Sequence, residues 1–281
     1  MARQIVSSQF ATPEEAKRVL QGLILRYEDA ASLGIVVQPR KSASFYTPQG
    51  DFLARFMADI WDDDEELERT EAFSGVKGDL RNRPEIIGKG ARFQLTRVDG
   101  TPTDFTGVPR ELLQAGGKAS TFGYYRYKNS APGVADCRLT AASLENLPRY
   151  LRQVEIERQI TKIYARHLPK QYAVQKRYVD AIKEDWKNEG SVFSSGYGLK
   201  DQPCAVHVDK FDIPSGTGVI TTTGCFEGDE FCMPEFGIAF DLQPSDLLFC
   251  DVHRWHGNFP RRSGSRTSQT FFVRKGMHEC P

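Results

Sequence analysis

Two histidines and a carboxylate in the last third of the chain have the residue types and spacing of a metal site. His207 and Asp209 are two residues apart, and His256 lies further along the chain. Residues i and i+2 of a β-strand point to the same face, so His207 and Asp209 can bind one ion from one edge. Two histidines and one carboxylate can form the facial triad that binds non-haem Fe(II) and leaves positions open for other ligands. The pattern therefore predicts an iron site.

A possible site for a carboxylate follows the second histidine. Arg266 comes ten residues after His256, and the segment between them contains Pro260 and Gly264. Two antiparallel strands joined by such a turn would place the histidine beside the guanidinium. Arg266 and Ser268 are again two residues apart, and together they offer a planar cationic fork and a hydroxyl that suit a carboxylate.

His253 is an alternative to His256 as the third ligand, because both follow Asp251 in an Asp-x-His-x-x-His sequence. The spacing favours His256, which is ten residues from Arg266, whereas His253 is thirteen residues away. We expect His253 to lie at the rim of the site, where it can contact the substrate or donate a hydrogen bond.

The order of these motifs resembles that of the 2-oxoglutarate/Fe(II) dioxygenases. The sequence between them resembles the Tet/JBP branch, which oxidises 5-methylpyrimidines in DNA. Residues 224–237 are similar to the branch's pattern G-x-F-x-G-G-E-x-x-x-P-x-x-G, with Asp229 where the second glycine is usual. Residues 243–249 resemble its P-G-D-hydrophobic stretch, with Ser245 in place of glycine. The resemblance covers residues from about 190 to 280.

The resemblance implies that the predicted triad binds Fe(II), that 2-oxoglutarate is the cosubstrate and that O₂ is the oxidant. Arg266 would then pair with the distal carboxylate of 2-oxoglutarate, and Ser268 would be a second donor. Asn258 would orient the iron ligand or the cosubstrate through a hydrogen bond. Stabilising the local turn is an equally good interpretation of Asn258.

A weaker similarity to the family occurs at residues 123–125 and 137–140. Arg138 in the second segment could help to bind the cosubstrate, or it could form a buried structural ion pair. Tyr125 belongs to a run of alternating aromatic and basic residues that could stack on bases and contact phosphates. An ordinary exposed strand explains this run equally well.

Asp212 extends the metal motif to H-x-D-x-x-D, which also occurs in Tet/JBP-like enzymes, where the second aspartate can meet the target base. An ionised carboxylate accepts hydrogen bonds, and cytosine offers its N4 amine as a donor, whereas thymine offers only the O4 acceptor. This reasoning favours 5-methylcytosine. The alternative is that Asp212 merely starts the turn that follows it.

We therefore predict a dioxygenase that oxidises the methyl group of 5-methylcytosine in DNA, with the base flipped out of the duplex to reach the iron. A first alternative keeps the same chemistry but acts on thymine, a free nucleoside, a small molecule or a protein side chain. A second alternative is a non-catalytic jelly-roll binding module, against which the intact triad argues.

Composition limits the kind of partner. The 281 residues carry equal numbers of acidic and basic side chains, so any contact with DNA must be a local patch. The six cysteines include no C-x-x-C pair, which argues against zinc and favours reduced thiols. There is no secretory signal or apolar run long enough to span a membrane. We expect a soluble, monomeric, intracellular protein, nuclear if eukaryotic and cytoplasmic if bacterial or viral.

The period of the hydrophobic pattern changes from helical to strand-like near residue 190. Before it, the sequence predicts a helix from Thr12 to about Leu33, another over residues 50–60, and two long helices over residues 143–166 and 169–188. Residues 74–120 are predicted to be loop-rich with a short strand over residues 92–98, and two strands are predicted over residues 121–127 and 138–142. After residue 190 come short strands separated by Pro, Gly and Asp turns, the first two over residues 192–195 and 204–207. We predict an α+β fold, a double-stranded β-helix (jelly-roll) over residues 190–281 with a helical and loop-rich support region, residues 1–189, packed on one sheet. The whole chain, 1–281, would form one catalytic unit.

Overall fold

The computed structural model describes residues 2–76, 118–127, 136–202 and 204–281. A short strand predicted over residues 92–98, and most of the loop-rich stretch predicted over residues 74–120, lie outside the described residues.

The chain begins with strand β1 (Ala2–Ile5) and helix α1 (Pro13–Leu20). The predicted start of this helix is confirmed, because the Thr12 side chain accepts a hydrogen bond from the backbone N–H of Glu15 and proline follows the cap. The predicted continuation to Leu33 is wrong. Gly22 has a positive φ of 75° and its N–H donates to the Val206 carbonyl, so a long-range contact ends the helix.

A short helix α2 (Asp29–Ser32) and three strands follow: β2 (Val36–Gln38), β3 (Ala43–Tyr46) and β4 (Phe52–Met57). The helix predicted over residues 50–60 is wrong, since β4 occupies that stretch. Nearly every residue of β4 is buried, and a strand covered on both faces has a continuous apolar run that periodicity cannot distinguish from a buried helix.

The helical part of the fold lies between β4 and the later strands. Helix α3 (Asp63–Phe73) starts at an Asp62–Glu65 capping box, which explains the acidic run there. Strand β5 (Lys118–Arg126) confirms the strand predicted over residues 121–127, and β6 (Cys137–Leu139) confirms only the start of the strand predicted over residues 138–142, because a helix begins at Ala141. The helices α4 (Ala141–Glu145) and α5 (Leu147–His167) cover the helix predicted over residues 143–166, with a break at Asn146. Helix α6 (Pro169–Asp180) confirms the start of the second long helix but ends eight residues before the predicted residue 188.

The remaining strands carry the site. They are β7 (Ser195–Lys200), β8 (Gly218–Gly228), β9 (Phe231–Met233), β10 (Ile238–Phe240), β11 (Leu247–Cys250), β12 (Gly257–Asn258) and β13 (Arg261–Phe272). Strand β7 starts later than the predicted strand at residues 192–195. The predicted strand at residues 204–207 is instead an irregular segment that pairs at His207.

The described strands form two sheets. The larger has the order β1-β3-β4-β11-β8-β13-β7-β5-β6, and the smaller has the order β12-β9-β10-β2. Phe56 and Phe240 stack between them in the core with Ile220 and Leu248. The other face of the large sheet is covered by α5, whose Tyr164 packs on Phe249.

The predicted class, a jelly-roll core with helices packed on one sheet, is confirmed, and the sheets do not close into a barrel. The division at residue 189 stays a prediction, although strands β1 to β6 come from residues before it. Within the described part of the chain, no helix is both long enough and apolar enough to cross a membrane. A disulfide joins Cys137 to Cys280, so the expectation of reduced thiols is wrong for this pair.

Candidate metal centre and substrate cavity

Backbone pairing brings the three predicted iron ligands together. The backbone N–H of His207 donates to the carbonyl of His256 over 2.8 Å, and that of His256 donates to the carbonyl of His207 over 2.9 Å. The carboxylate oxygens of Asp209 lie 3.7 Å from Nε2 of His207 and 3.8 Å from Nε2 of His256. One donor atom from each residue lies within 4.8 Å of the others, a spacing that a single metal ion can bridge.

Hydrogen bonds set the tautomer of both histidines. Nδ1 of His207 lies 2.8 Å from the carbonyl of Ala205, and Nδ1 of His256 lies 2.9 Å from the carbonyl of Arg254. A carbonyl can only accept, so each Nδ1 carries the proton and each Nε2 presents its lone pair to the site. Burial, with a smaller effect of the neighbouring His207, lowers the pKa of His256 to about 4. The donor set therefore fits Fe(II), which takes neutral imidazoles and a carboxylate.

His253 has a different position. Its Nε2 donates to the carbonyl of Ile213 over 2.9 Å, and its backbone N–H donates to Asp251 over 3.0 Å. It is not among the residues that line the cavity beside the triad. The structure therefore gives His253 a contact with the loop after the metal motif, and its predicted contact with substrate stays a prediction.

A cavity of about 280 Å³ opens beside the triad. It contains the triad and five of the other predicted site residues, namely Arg266, Ser268, Asn258, Asp212 and Tyr125. Residues without a predicted role also line it, among them Tyr197, Leu199, Phe211, Thr270, Phe272 and Arg274. The volume and the mixed polar and aromatic walls suit a small planar ligand together with a dicarboxylate.

Arg138 is not among the residues that line this cavity. On β6 it stands opposite Tyr125 of β5, and its guanidinium carbon is 4.0 Å from the ring centre of Tyr127. Its predicted role in cosubstrate binding stays a prediction, since the structure places its charge on an aromatic ring outside the cavity lining.

Arg266 already has an acidic partner. Its Nη1 lies 2.8 Å from Oδ1 of Asp229, and each side chain is only 4% exposed. Burial raises the pKa of Asp229, while the neighbouring Arg266 opposes that shift. Nε of Arg266 has no hydrogen-bond partner among the described residues, which leaves one donor of the buried guanidinium for a ligand. This buried, under-satisfied fork fits a cosubstrate carboxylate.

Asn258 supports the same corner of the cavity. Its side-chain amide donates to the backbone carbonyl of Asp229 over 3.0 Å. The contact fixes the segment that carries the partner of Arg266. Whether Asn258 also contacts the cosubstrate, as predicted, stays a prediction.

Strand β13 presents several cavity residues that the sequence interpretation missed. Arg266 and Ser268 were recognised as a pair two residues apart, and the same alternation continues through Thr270, Phe272 and Arg274, all of which line the cavity. Extending the period of two by three steps would have found them. The alternation was therefore present in the sequence, but the interpretation stopped at Ser268.

The mouth of the cavity is aromatic and basic. The guanidinium carbon of Arg274 lies 4.4 Å from the ring centre of Tyr125 and 5.3 Å from that of Phe211. Phe211 is 60% exposed although it is a large apolar side chain. Nearby, the ammonium of Lys275 donates to the Lys210 carbonyl. Such a surface offers a stacking platform and positive charge at the entrance.

Comparison with known proteins agrees with this site. The family model Tet_JBP, the oxygenase domain of the 2OGFeDO superfamily, matches residues 120–275. Thymine dioxygenase JBP1-A of Trypanosoma cruzi is 29% identical over 164 residues, which are 56% of this chain and 19% of that protein. The bifunctional helicase and thymine dioxygenase JBP2 of Leishmania braziliensis is 31% identical over 160 residues, 55% of this chain and 14% of that protein. The chain thus spans less than a fifth of the length of these curated relatives.

A solved structure supports the fold. The structure described as NgTET1 in complex with 5mC DNA aligns with a TM-score of 0.59 over 96% of this chain and 94% of the other, at 14% identity. The family match covers more than half of the chain and includes all three predicted iron ligands, Arg266 and Ser268. The chain therefore belongs to the Tet_JBP family of 2-oxoglutarate/Fe(II) dioxygenases, whose cofactors are Fe(II), 2-oxoglutarate and O₂.

Proposed function

We propose that this chain oxidises the methyl group of 5-methylcytosine in DNA. Bound at the site, Fe(II) with 2-oxoglutarate and O₂ supplies the oxidising power to turn a methyl group into a hydroxymethyl group, and 2-oxoglutarate becomes succinate and CO₂. The chain's own residues bind the metal, orient the two substrates and exclude water.

Each group of residues has a separate task in this proposal. The two imidazole Nε2 atoms and the Asp209 carboxylate would hold the metal. Arg266 and Ser268, on the same face of β13, would hold the distal carboxylate of the cosubstrate. The apolar walls formed by Val219, Ile220 and Phe231 line the cavity and keep water from the reacting carbon.

The observation that carries the choice of base is the position of Asp212. It lies in the same cavity as the triad, and it is 4% exposed. Backbone pairing with the residues that follow β13 holds this position, since the chain at Asp212 pairs with Arg274 and the N–H of Ile213 donates to the carbonyl of Val273. A buried carboxylate can accept from the N4 amine of cytosine, whereas it would face the O4 acceptor of thymine.

The entrance of the cavity supports DNA as the source of the base. A base in a duplex must leave the stack to reach the iron, and unstacking is offset when the base meets aromatic surface. Phe211 and Tyr125 supply that surface, and Lys210, Arg274 and Lys275 supply local positive charge to a chain whose net charge is zero. We propose a monomer that works where DNA is found, in a nucleus or in bacterial or viral cytoplasm.

Thymine is the second candidate base. The relatives that are 29% and 31% identical are named thymine dioxygenases. Their names favour thymine, while the buried Asp212 favours 5-methylcytosine. The two bases differ at the edge that this carboxylate would meet, so they can be separated experimentally.

The test incubates duplexes carrying 5-methylcytosine or thymine with enzyme, Fe(II), 2-oxoglutarate and ascorbate, and then measures oxidised nucleosides by mass spectrometry. We expect the parent to prefer 5-methylcytosine, because a wrong polar pairing costs about 1–3 kcal/mol. Asp212→Ala should lose 5-methylcytosine oxidation while still turning over some 2-oxoglutarate. Asp212→Asn should lose activity on 5-methylcytosine and the preference for it, because its amide is a neutral, weaker acceptor and can also donate to the O4 of thymine.

A matched control is Asp180→Asn, which removes an exposed aspartate paired with Lys176 on α6. It should behave like the parent. If both Asp212 variants keep full activity and the same base preference, Asp212 has no part in base recognition. Preference of the parent for thymine would replace 5-methylcytosine by the second candidate, and oxidation of neither base would refute the proposal.

A further inference from the structure

Asp229 is a charged residue at a position whose backbone conformation favours glycine. Its φ is 65°, in the left-handed region that favours glycine, and the sequence pattern that residues 224–237 resemble has glycine there. The side chain is nevertheless buried, and its carboxylate lies 2.8 Å from Arg266. Both the backbone conformation and the burial of a charge are unfavourable, so the contact with the guanidinium is what offsets them.

The partner of Asp229 is also the cation that the cosubstrate needs. A guanidinium has five N–H donors in one plane but a single positive charge, and Asp229 already contacts its Nη1. A second carboxylate arriving at Arg266 would stand close to the first. Like charges near each other in a poorly solvated pocket repel strongly, and Arg266 is only 4% exposed.

We propose that Asp229 sets the affinity for 2-oxoglutarate, by competing with the distal carboxylate of the cosubstrate for Arg266. The internal carboxylate keeps the buried guanidinium paired when the cosubstrate has left. It also weakens cosubstrate binding relative to a chain with glycine at this position. The inference rests on the cosubstrate site described above and not on the identity of the base.

The effect is specific to the distal end of the ligand. A 2-oxo acid without a second carboxylate, such as 2-oxobutanoate, brings no negative charge to Arg266. Its affinity for the iron-loaded protein should therefore not change when Asp229 is substituted. A residue that only maintained the fold would change the binding of both acids alike.

The test compares the parent with Asp229→Asn, which removes the charge but keeps the shape and a carbonyl oxygen that can accept from Arg266. Asparagine also tolerates positive φ better than most residues. Dissociation constants for 2-oxoglutarate and 2-oxobutanoate are measured by calorimetry on Fe(II)-loaded protein without oxygen. We expect 2-oxoglutarate to bind about tenfold more tightly to the variant, because like-charge juxtaposition is costly. The constant for 2-oxobutanoate should change less than about twofold by the same argument.

Asp229→Gly, which restores the family residue, should tighten binding of 2-oxoglutarate in the same way. Glycine adopts a positive φ without strain, so this second variant keeps the test valid if Asp229→Asn fails to fold. Unchanged or weaker binding of 2-oxoglutarate by both variants, or an equal shift for the two acids, would overturn the inference. If the parent itself binds no 2-oxoglutarate with Fe(II), the proposed function fails instead.

Discussion

Glu157 makes the stability of this protein depend on pH. It lies on α5 and is 2% exposed, and its carboxylate accepts a hydrogen bond from the Asn188 side chain over 2.8 Å. Burial raises the pKa of Glu157 from 4.5 to about 7, against the opposing effects of hydrogen bonds from Asn188 and Ser191. Between pH 4.5 and about pH 7, Glu157 therefore carries a proton in the folded state that it has lost in the unfolded chain.

The sign and size of the effect follow by linkage. Because the folded pKa is the higher one, the free energy of unfolding is greatest below pH 4.5 and falls as the pH rises through about 7. The difference between these two pKa values corresponds to about 3 kcal/mol in total. Between pH 5 and pH 8 the contribution of Glu157 should change by about 2–3 kcal/mol.

The assay is urea unfolding of the parent and of Glu157→Gln at pH 5 and pH 8. Glutamine keeps the size of the side chain and an oxygen for Asn188, so the two proteins differ mainly in the charge. The parent should lose about 2–3 kcal/mol more than the variant between the two pH values.

Glu155→Gln, on the exposed side of the same helix, is the matched control and should follow the parent, because its side chain is 55% exposed. Parallel pH profiles for the parent and Glu157→Gln would refute the reasoning.

Three further predictions concern the metal, the cosubstrate and the disulfide. His256→Ala should abolish Fe(II) binding measured by equilibrium dialysis, whereas His253→Ala should retain it, because His256 faces Asp209 and His253 contacts the Ile213 carbonyl instead; the reverse result would show that the ligand is wrongly assigned. Arg266→Ala should weaken 2-oxoglutarate binding, a loss of about 2–5 kcal/mol for a charged pair, and should also destabilise the fold because Asp229 stays buried without its partner. Adding Asp229→Gly should restore the denaturation midpoint but not cosubstrate binding, and recovery of binding would contradict the role of Arg266. Cys280→Ser should lower the free energy of unfolding by about 2–5 kcal/mol, since the disulfide closes a long loop; unchanged denaturant unfolding would show that the Cys137 link adds no stability.

Local spacing was enough to single out candidate metal and cosubstrate residues. Arg266 and Ser268 are two residues apart on β13, and a strand places such pairs on one face. His207 and Asp209 have the same spacing, although the segment that carries them is irregular apart from the pairing at His207. The start of α1 could also be predicted, because a cap acts through bonds to residues three positions away. Each of these features depends on neighbours along the chain.

The structure was needed wherever a residue's partner is distant in sequence. Residues 52–57 are a strand rather than a helix because β3 and β11 flank them, and an apolar run by itself fits either element. His256 rather than His253 faces Asp209 because its backbone pairs with His207.

Asp229 shows the same limit within the site. In the sequence, Asp229 only replaces the second glycine of the pattern that residues 224–237 resemble. No neighbouring residue indicates that it pairs with Arg266. Arg266 pairs with Gly224 on β8, and its side chain meets the Asp229 carboxylate beyond the end of that strand, so a local exception becomes a buried ion pair. Sequence determined which chemical groups are present and how near neighbours are oriented. Tertiary structure decided which charges meet, because burial and long-range contact set the energy of a charge.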